Sequence, residues 1–293
     1  MPAIHLADRV LMRAAGPQAG HFLHGVVTCN VVDLAQGQAR YGAMLQPQGK
    51  IIADFLLYRE AEESFLLDAP ADVAESLLKR LTLLRLRAQL TLERPDDLAV
   101  AALLDTQAMP EGAMAYADPR LDALGPRLVM PRATAEALRQ DTALYEAHRI
   151  RLGIPKGGVD FAYGDAFPHE VDMDQLGGVD FDKGCYVGQE VVSRMEHRST
   201  PRNRIVQALF PQEAIAGGEI LAGEKVAGRI TSAAGRQAIA SVRLDRTGDA
   251  QAKGVPLLVD GVEIELQRPA WAHFDMTWTR KESPLDTVLK AGG

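Results

Sequence analysis

Lys183-Gly184-Cys185-Tyr186-Val187-Gly188-Gln189-Glu190 is the stretch on which the reading of this chain turns. Two glycines bracket a thiol and allow backbone conformations closed to other residues. Gln189 to Arg194 is helix-compatible, which sets Cys185 just ahead of a helix N-terminus. The partial positive charge there, with Lys183 two residues away, favours a thiolate and predicts a functional thiol. The plainer alternative is a small buried residue in a tight turn. Cys29, the other cysteine, has no cation beside it in sequence and serves as a control. At 156 positions apart the two make neither a CxxC pair nor a zinc knuckle.

Outward from this stretch, residues 153–184 form a long Gly- and Pro-rich loop, and loops of that length in compact domains usually carry function. Ahead of it, Gly20 to Val27 predicts a helix, Tyr41–Leu45 and Ile51–Tyr58 two strands around a Gln46–Lys50 turn, and Ser64–Leu67 a third. Val73, Leu77, Leu81 and Leu84 give a helix from Pro70 its apolar stripe. Leu90–Leu92, Leu98–Leu104 and Arg127–Met130 read as further strands. Thr134 is expected to cap one helix, and Leu144–Leu152 to form another, stopped by Gly153 and Pro155. After Pro201 the texture changes to short alternating strands, with Asp260-Gly261 as a tight-hairpin signal.

The eight residues 183–190 resemble the signature of the YgfZ family, folate-binding relatives of the glycine-cleavage T-protein that support iron–sulfur proteins. That signature is Lys-Gly-Cys, an aromatic, any residue, then Gly-Gln-Glu, with Arg194 following. Leu23–Leu34, Gly49–Asp54, Arg149–Pro155 and Gly228–Ser232 resemble further family elements in the right order, so the resemblance spans nearly the whole chain. It implies an α+β fold: two interleaved α/β lobes of the GcvT type around a central folate channel (residues 1–202), a C-terminal antiparallel β-barrel (203–280) and a tail (281–293). It implies tetrahydrofolate, or a one-carbon derivative, as ligand, and a role in assembling or repairing iron–sulfur clusters in client enzymes. Cys185 and Lys183 would carry the chemistry. Asn30, Asp54, Gly184, Tyr186, Gly188, Gln189, Glu190 and Arg194 would contact the ligand, with no metal site.

Departures bear on the branch. T-proteins place two acidic residues where Ala53 precedes Asp54, and an ungapped alignment on Gly153 sets Arg151 where they grip the pterin with a carboxylate. Arg cannot accept the paired pterin N–H bonds. The thiol at Cys185 is also absent from T-proteins. A folate-dependent aminomethyltransferase or demethylase is therefore the alternative reading, and a binding module with a structural thiol a third.

The rest of the chain sets bounds. At 293 residues, 47% hydrophobic and 24% charged, it is a soluble-type sequence long enough for two or three packed units, not a disordered, collagen-like or coiled-coil chain. A net charge of −7 argues against duplex nucleic acid as the main partner. No stretch reaches the ~18 apolar residues of a membrane span, and the opening ten residues lack a signal pattern, so a cytoplasmic protein is expected. Glu170, Asp172 and Asp174, with His169, are read as a solvated acidic loop rather than a cation site. His21 and His24 are read as a satisfied pair. Arg194, Arg198, Arg202 and Arg204 form a basic strip that answers a folate tail or RNA phosphate, or else a helix face balanced by Glu190 and Glu196.

Overall fold

The computed structural model describes residues 3–104, 109–198 and 201–276. The expected tail over 281–293 lies outside them. The chain opens with β1 (Ala3–His5) and β2 (Arg9–Ala15), which enter different sheets. After α1 (Ala19–Val26) come β3 (Ala39–Leu45), β4 (Ile51–Ala61), β5 (Ser64–Pro70), α2 (Ala71–Arg85) and β6 (Thr91–Glu93). These strands make a five-stranded sheet in the order β3-β4-β5-β2-β6. β7 (Leu98–Leu103), β8 (Met114–Tyr116) and β9 (Arg127–Pro131) form a second sheet, which recruits β1 beside β7 with Ile4 opposite Ala102. The two lobes are interleaved through that first strand. β1, β2 and β8 are absent from the sequence reading, because β1 and β8 are only three residues long and Arg9 and Arg13 break the apolar run of β2.

β4 shows why the sheets stack. Side chains alternate across a strand, so Ala53, Phe55 and Leu57 enter a core shared with α1 and α2, while Leu56 and Tyr58 enter the core shared with the second sheet. Both faces are covered, and Ile51 to Tyr58 reads as a nearly unbroken apolar run. α3 (Arg132–Glu136) follows Pro131, whose extended backbone starts the helix, so Thr134 lies inside it and not at its cap. α4 (Ala143–Leu152) stops at Gly153, which takes the left-handed φ of 73°.

The 153–184 loop is fixed by backbone hydrogen bonds, which a buried chain must satisfy. Ile51 N donates to Ala166 O, Gly164 N to Ile51 O, and Asp180 N to Thr28 O; Val171, Met173, Leu176 and Val179 are buried. α5 (Gln189–Arg198) follows. Then β10 (Asn203–Leu209), β11 (Glu219–Ala222), β12 (Lys225–Ala234), β13 (Gln237–Arg243), α6 (Leu244–Ala252), β14 (Leu257–Val259) and β15 (Val262–Gln267) build a closed six-stranded antiparallel barrel. The Asp260-Gly261 turn has φ of 50° and 81° at its two residues, the backbone that tight hairpins demand. β11 and α6 are further additions to the sequence reading; α6 buries Leu244, Thr247 and Ala250 against the barrel.

Candidate functional site

The signature loop divides into residues that hold it and one that it presents. Lys183 is buried, and its Nζ donates to the carbonyls of His24, Val27 and Cys29 at 2.5, 2.6 and 2.9 Å. Two of these acceptors lie at the C-terminal end of α1, where carbonyls lack helical partners and the helix dipole is negative. The ammonium also faces the Tyr186 ring, 5.1 Å from its centroid. Burial pushes Lys183 down to about 8 and the Tyr186 phenol up to about 12. Asp180 Oδ1 accepts the backbone N–H groups of Asp182 and Lys183, which fixes the approach. Lys183 is therefore a loop anchor. Expected as the cation that activates Cys185, its ammonium is taken up in the structure by these three carbonyls.

Gly188 and Gly49 seat the other end. Gly188 has a φ of 87°, and a Cβ there would lie 2.6 Å from Gln46 O and 3.0 Å from Leu45 Cβ. Gly49, in the β3–β4 turn, has a φ of 83°, and its Cβ would lie 2.9 Å from Val191 Cβ. Only bare backbones allow the hairpin turn and the start of α5 to meet. Gly184 differs from expectation: its φ is not left-handed and its Cβ position is open, with only His24 Nε2 at 4.0 Å. Between these anchors Cys185 is exposed. Tyr186, Val187 and Gly188 separate it from the first residue of α5. Gln189 is half-buried, while Glu190 and Arg194 are exposed and paired with each other.

Cys29 is the opposite case. It is buried, its Sγ fills the space left by Gly42, where a Cβ would lie 2.6 Å away, and burial pushes the thiol up to about 11. No cation lies beside it in sequence, but in space the Lys183 ammonium sits on its carbonyl.

Asp54, from β4, lies apart in a buried polar layer between the two sheets. Tyr41 OH donates to its Oδ2 at 2.9 Å and Tyr163 OH to its Oδ1. Gly157 makes room for Tyr163, whose hydroxyl would be 2.0 Å from a Cβ. Nearby, Arg9 pairs with Asp68 at 2.6 Å, Arg127 donates to Tyr145 OH at 2.6 Å, and Arg120 pairs with Asp118 at 2.7 Å while stacking 5.9 Å from the Tyr41 ring. Burial alone raises Asp118, but Arg120 and Arg127 outweigh it and hold the carboxyl at about 2. Arg120 and Asp118 also line an open cleft of about 460 Å³. Asn30 does not join this layer; its side chain accepts from Val32 N and Asp33 N and donates to Asp33, closing its own turn. Sequence reasoning missed Tyr41, Tyr163 and the arginines, since lone tyrosines between strands give no local signal.

Other expectations change. The acidic loop is not solvated: Arg204 on β10 grips Asp174 through both oxygens, at 2.6 and 2.9 Å, and Asp172 at 3.2 Å, and all three are buried or nearly so. Desolvation pushes Asp172 well up despite Arg204. Arg204 is thereby removed from the basic strip. Glu196 pairs with His169 at 3.0 Å. Arg151 is exposed, its Nη2 2.7 Å from His148 Nδ1. The Arg149 and Thr231-Ser232 elements meet at Asp160: Arg149 Nη1 donates at 2.7 Å, Thr231 at 2.6 Å and Ser232 at 2.5 Å, a latch between the α/β region and the barrel.

Comparison with known proteins defines the class. Residues 10–103 match the family model of the GCVT N-terminal domain, and residues 202–274 that of the CAF17 C-terminal beta-barrel domain. The fold is similar to that of the glycine cleavage system aminomethyltransferase T from Bartonella henselae, with a TM-score of 0.72, 95% of this chain and 87% of that chain covered, and 18% identity. This is a mixed α/β protein of the GcvT-like fold with a closed C-terminal barrel. The chain is 30% identical to the iron-sulfur cluster assembly factor IBA57, mitochondrial, of Mus musculus, covering 81% of this chain and 76% of that one. It is 33% identical to the Homo sapiens protein of that name, covering 70% and 65%, and 32% identical to the Neurospora crassa homolog, covering 72% and 54%. The chain belongs to the IBA57 family. It spans little more than half the length of the fungal relatives it matches. The mitochondrial names overturn the cytoplasmic expectation, which rested on composition and an unremarkable opening, neither of which reports a compartment. Among the described residues no helix is long and apolar enough to cross a membrane.

Proposed function

We propose that this protein supports assembly or repair of iron–sulfur clusters in client enzymes, and that Cys185 is its working thiol. One observation carries the reading. Lys183, Tyr186 and Gly188 each hold the loop in place, yet the thiol between them is left in solvent. A thiolate is the ligand form of cysteine for soft metals and clusters, and also its nucleophilic form. The names of the relatives support the same role, and the partners follow as iron–sulfur client or assembly proteins. Cys185→Ala should leave the thermal midpoint within about 1 °C, as an exposed side chain contributes little packing. It should abolish rescue of iron–sulfur enzyme activity in cells lacking the protein. A folded variant with full rescue makes the thiol structural.

Tetrahydrofolate enters the proposal as a ligand of the layer around Asp54. The donor set fits in kind: a buried carboxylate between two tyrosines, and an Arg127 Nη1 that is buried without a hydrogen-bond partner. Each oxygen of Asp54 accepts one hydroxyl and keeps a further lone pair for a ligand N–H. Calorimetry with tetrahydrofolate should give saturable micromolar binding, about 8 kcal/mol, reduced by Asp54→Asn. No heat at millimolar ligand removes folate and leaves the thiol reading intact. The GcvT-like fold also supports an aminomethyltransferase, but Arg151 lacks the acceptor that a pterin needs, and no transfer to tetrahydrofolate is expected.

A further inference from the structure

The end of α2 breaks three rules of an ordinary surface helix at once. The helix buries Ala74, Leu77 and Leu81, so its core face is complete. Leu83 and Leu86 are nevertheless 76% and 85% exposed, and Leu84 is partly exposed. Single exposed leucines need no explanation; three within four residues form a ridge. Leu86 also has a φ of 49° with a ψ of −108°, a conformation that glycine tolerates and a branched side chain does not. Among the described residues the other two non-glycine positions with positive φ are aspartates, which tolerate such backbone locally. Strain at an exposed leucine that buries nothing within the chain points to a use outside it.

The charge around the ridge is also anomalous. The protein carries −7 overall, yet Arg80 and Arg87 flank the leucines. Both are exposed, and neither has an acidic partner among the described residues. Lys79 is neutralised by Glu75. Arg87, the residue after Leu86, lines a cleft of about 360 Å³ with Ala88 and, from α1 and its approach, Gln18, His21 and Phe22. α1 in turn leads to the thiol. His24, one turn after His21, gives its carbonyl to Lys183, and its Nε2 is the nearest atom to the open side of Gly184. α1 itself is about 12 Å long.

We infer that the Leu83–Leu86 ridge, with Arg80 and Arg87, is a docking surface for an acidic protein segment that inserts an apolar side chain into the cleft beside Phe22. A partner held there sits against α1, whose last turn carries the anchor of the Cys185 loop. An acidic partner is repelled by most of this surface and attracted at this edge, so the charge pattern selects the approach. The inference rests on the proposal that the thiol serves partner proteins, and it names where they bind.

A fluorescein-labelled helical peptide of glutamate and leucine, titrated into the full chain by anisotropy, tests it. Saturable binding that weakens with salt is expected. Arg80→Glu with Arg87→Glu should weaken it at least tenfold. Leu86→Gly should weaken it while raising the thermal midpoint, which separates docking from folding. Cys185→Ala should bind as the wild type does, so a failed thiol reading and a failed docking surface are distinguishable. In cells, the double arginine variant should lose rescue while Cys185 still alkylates at the wild-type rate. Absence of saturable binding, or binding unchanged in the arginine variant, overturns the inference. So does loss in that variant of co-sedimentation with phosphatidylglycerol vesicles where the peptide does not bind, which makes the ridge a lipid contact. A wild-type dimer that the variant dissociates makes it an interface between copies of this chain.

Discussion

Cys29 and Cys185 stand on either side of one lysine and have opposite environments. Cys29 is sealed under Gly42, its carbonyl takes part of the Lys183 ammonium, and its thiol is pushed up to about 11. Cys185, two residues along from the same lysine, is exposed. The cation that sequence proximity assigns to Cys185 is spent in space on the Cys29 side. The contrast teaches that a compact signature divides its labour: most of its residues fix a loop, and one is left to act.

The largest expected effect is in reactivity. In the native state iodoacetamide should label Cys185 at least about a hundredfold faster than Cys29 at pH 8, since the buried thiol is both occluded and protonated there. In denaturant the two rates should converge. Comparable native rates would break the comparison outright.

The seat of the loop comes next. Gly188→Ala places a methyl within 2.6 Å of Gln46 O on a backbone with a φ of 87°. Steric overlap and strain together should cost about 3 kcal/mol or more by urea unfolding. In whatever fraction remains folded, the Cys185 alkylation rate should change and the Cys29 rate should not. A loss under about 1 kcal/mol would show that the turn and α5 are not in contact.

Lys183→Met sharpens the same point at smaller cost. It leaves the carbonyls of His24, Val27 and Cys29 without their shared donor. A buried acceptor without a partner costs about 1–3 kcal/mol, and water reaching the vacated end of α1 will recover part, so about 2 kcal/mol is expected overall. If Lys183 served the thiolate instead, stability would hold and the pH midpoint of Cys185 alkylation would rise.

These residues also show what a sequence can disclose. β4 and the Asp260-Gly261 hairpin were legible because local rules decide them: alternation in one, two positive-φ positions in the other. The strands β1, β2, β8 and β11 were not, being short or broken by polar residues whose partners lie far along the chain. The interleaving came from family resemblance alone. In the site, Cys185 was legible by its neighbours, but the target of Lys183 was not, because it lies across a separation of 154 to 159 residues. The tyrosines on Asp54 come from 13 and 109 positions away, and the Arg204 grip from about 30. Chemistry assembled from distant segments leaves no spacing to read, and the acidic loop, solvated by its composition, is buried by an arginine that follows it.

The smallest effect concerns pH. Cys29 has its folded value raised to about 11 by burial, against about 8.5 for an unfolded thiol. A group raised in this way contributes stability that is fully present below pH 8.5 and is lost as pH rises through 11, because the unfolded chain releases the proton first. Lys183 runs the other way. Its folded value of about 8 lies below the ordinary lysine value of about 10.5, so the unfolded chain holds the proton longer and this share of stability grows between those limits. The two nearly cancel in the wild type. Their separation therefore requires the difference between wild type and Cys29→Ala, which removes the thiol and reaches Lys183 only through the charge contact between the two. By pH 9.5 the advantage of the wild type should have fallen by about 1 kcal/mol from its value at pH 7.5, measured as urea midpoints at each pH. A flat difference curve for Cys29 would mean that its thiol is not sealed, and the contrast between the two cysteines would reduce to position alone.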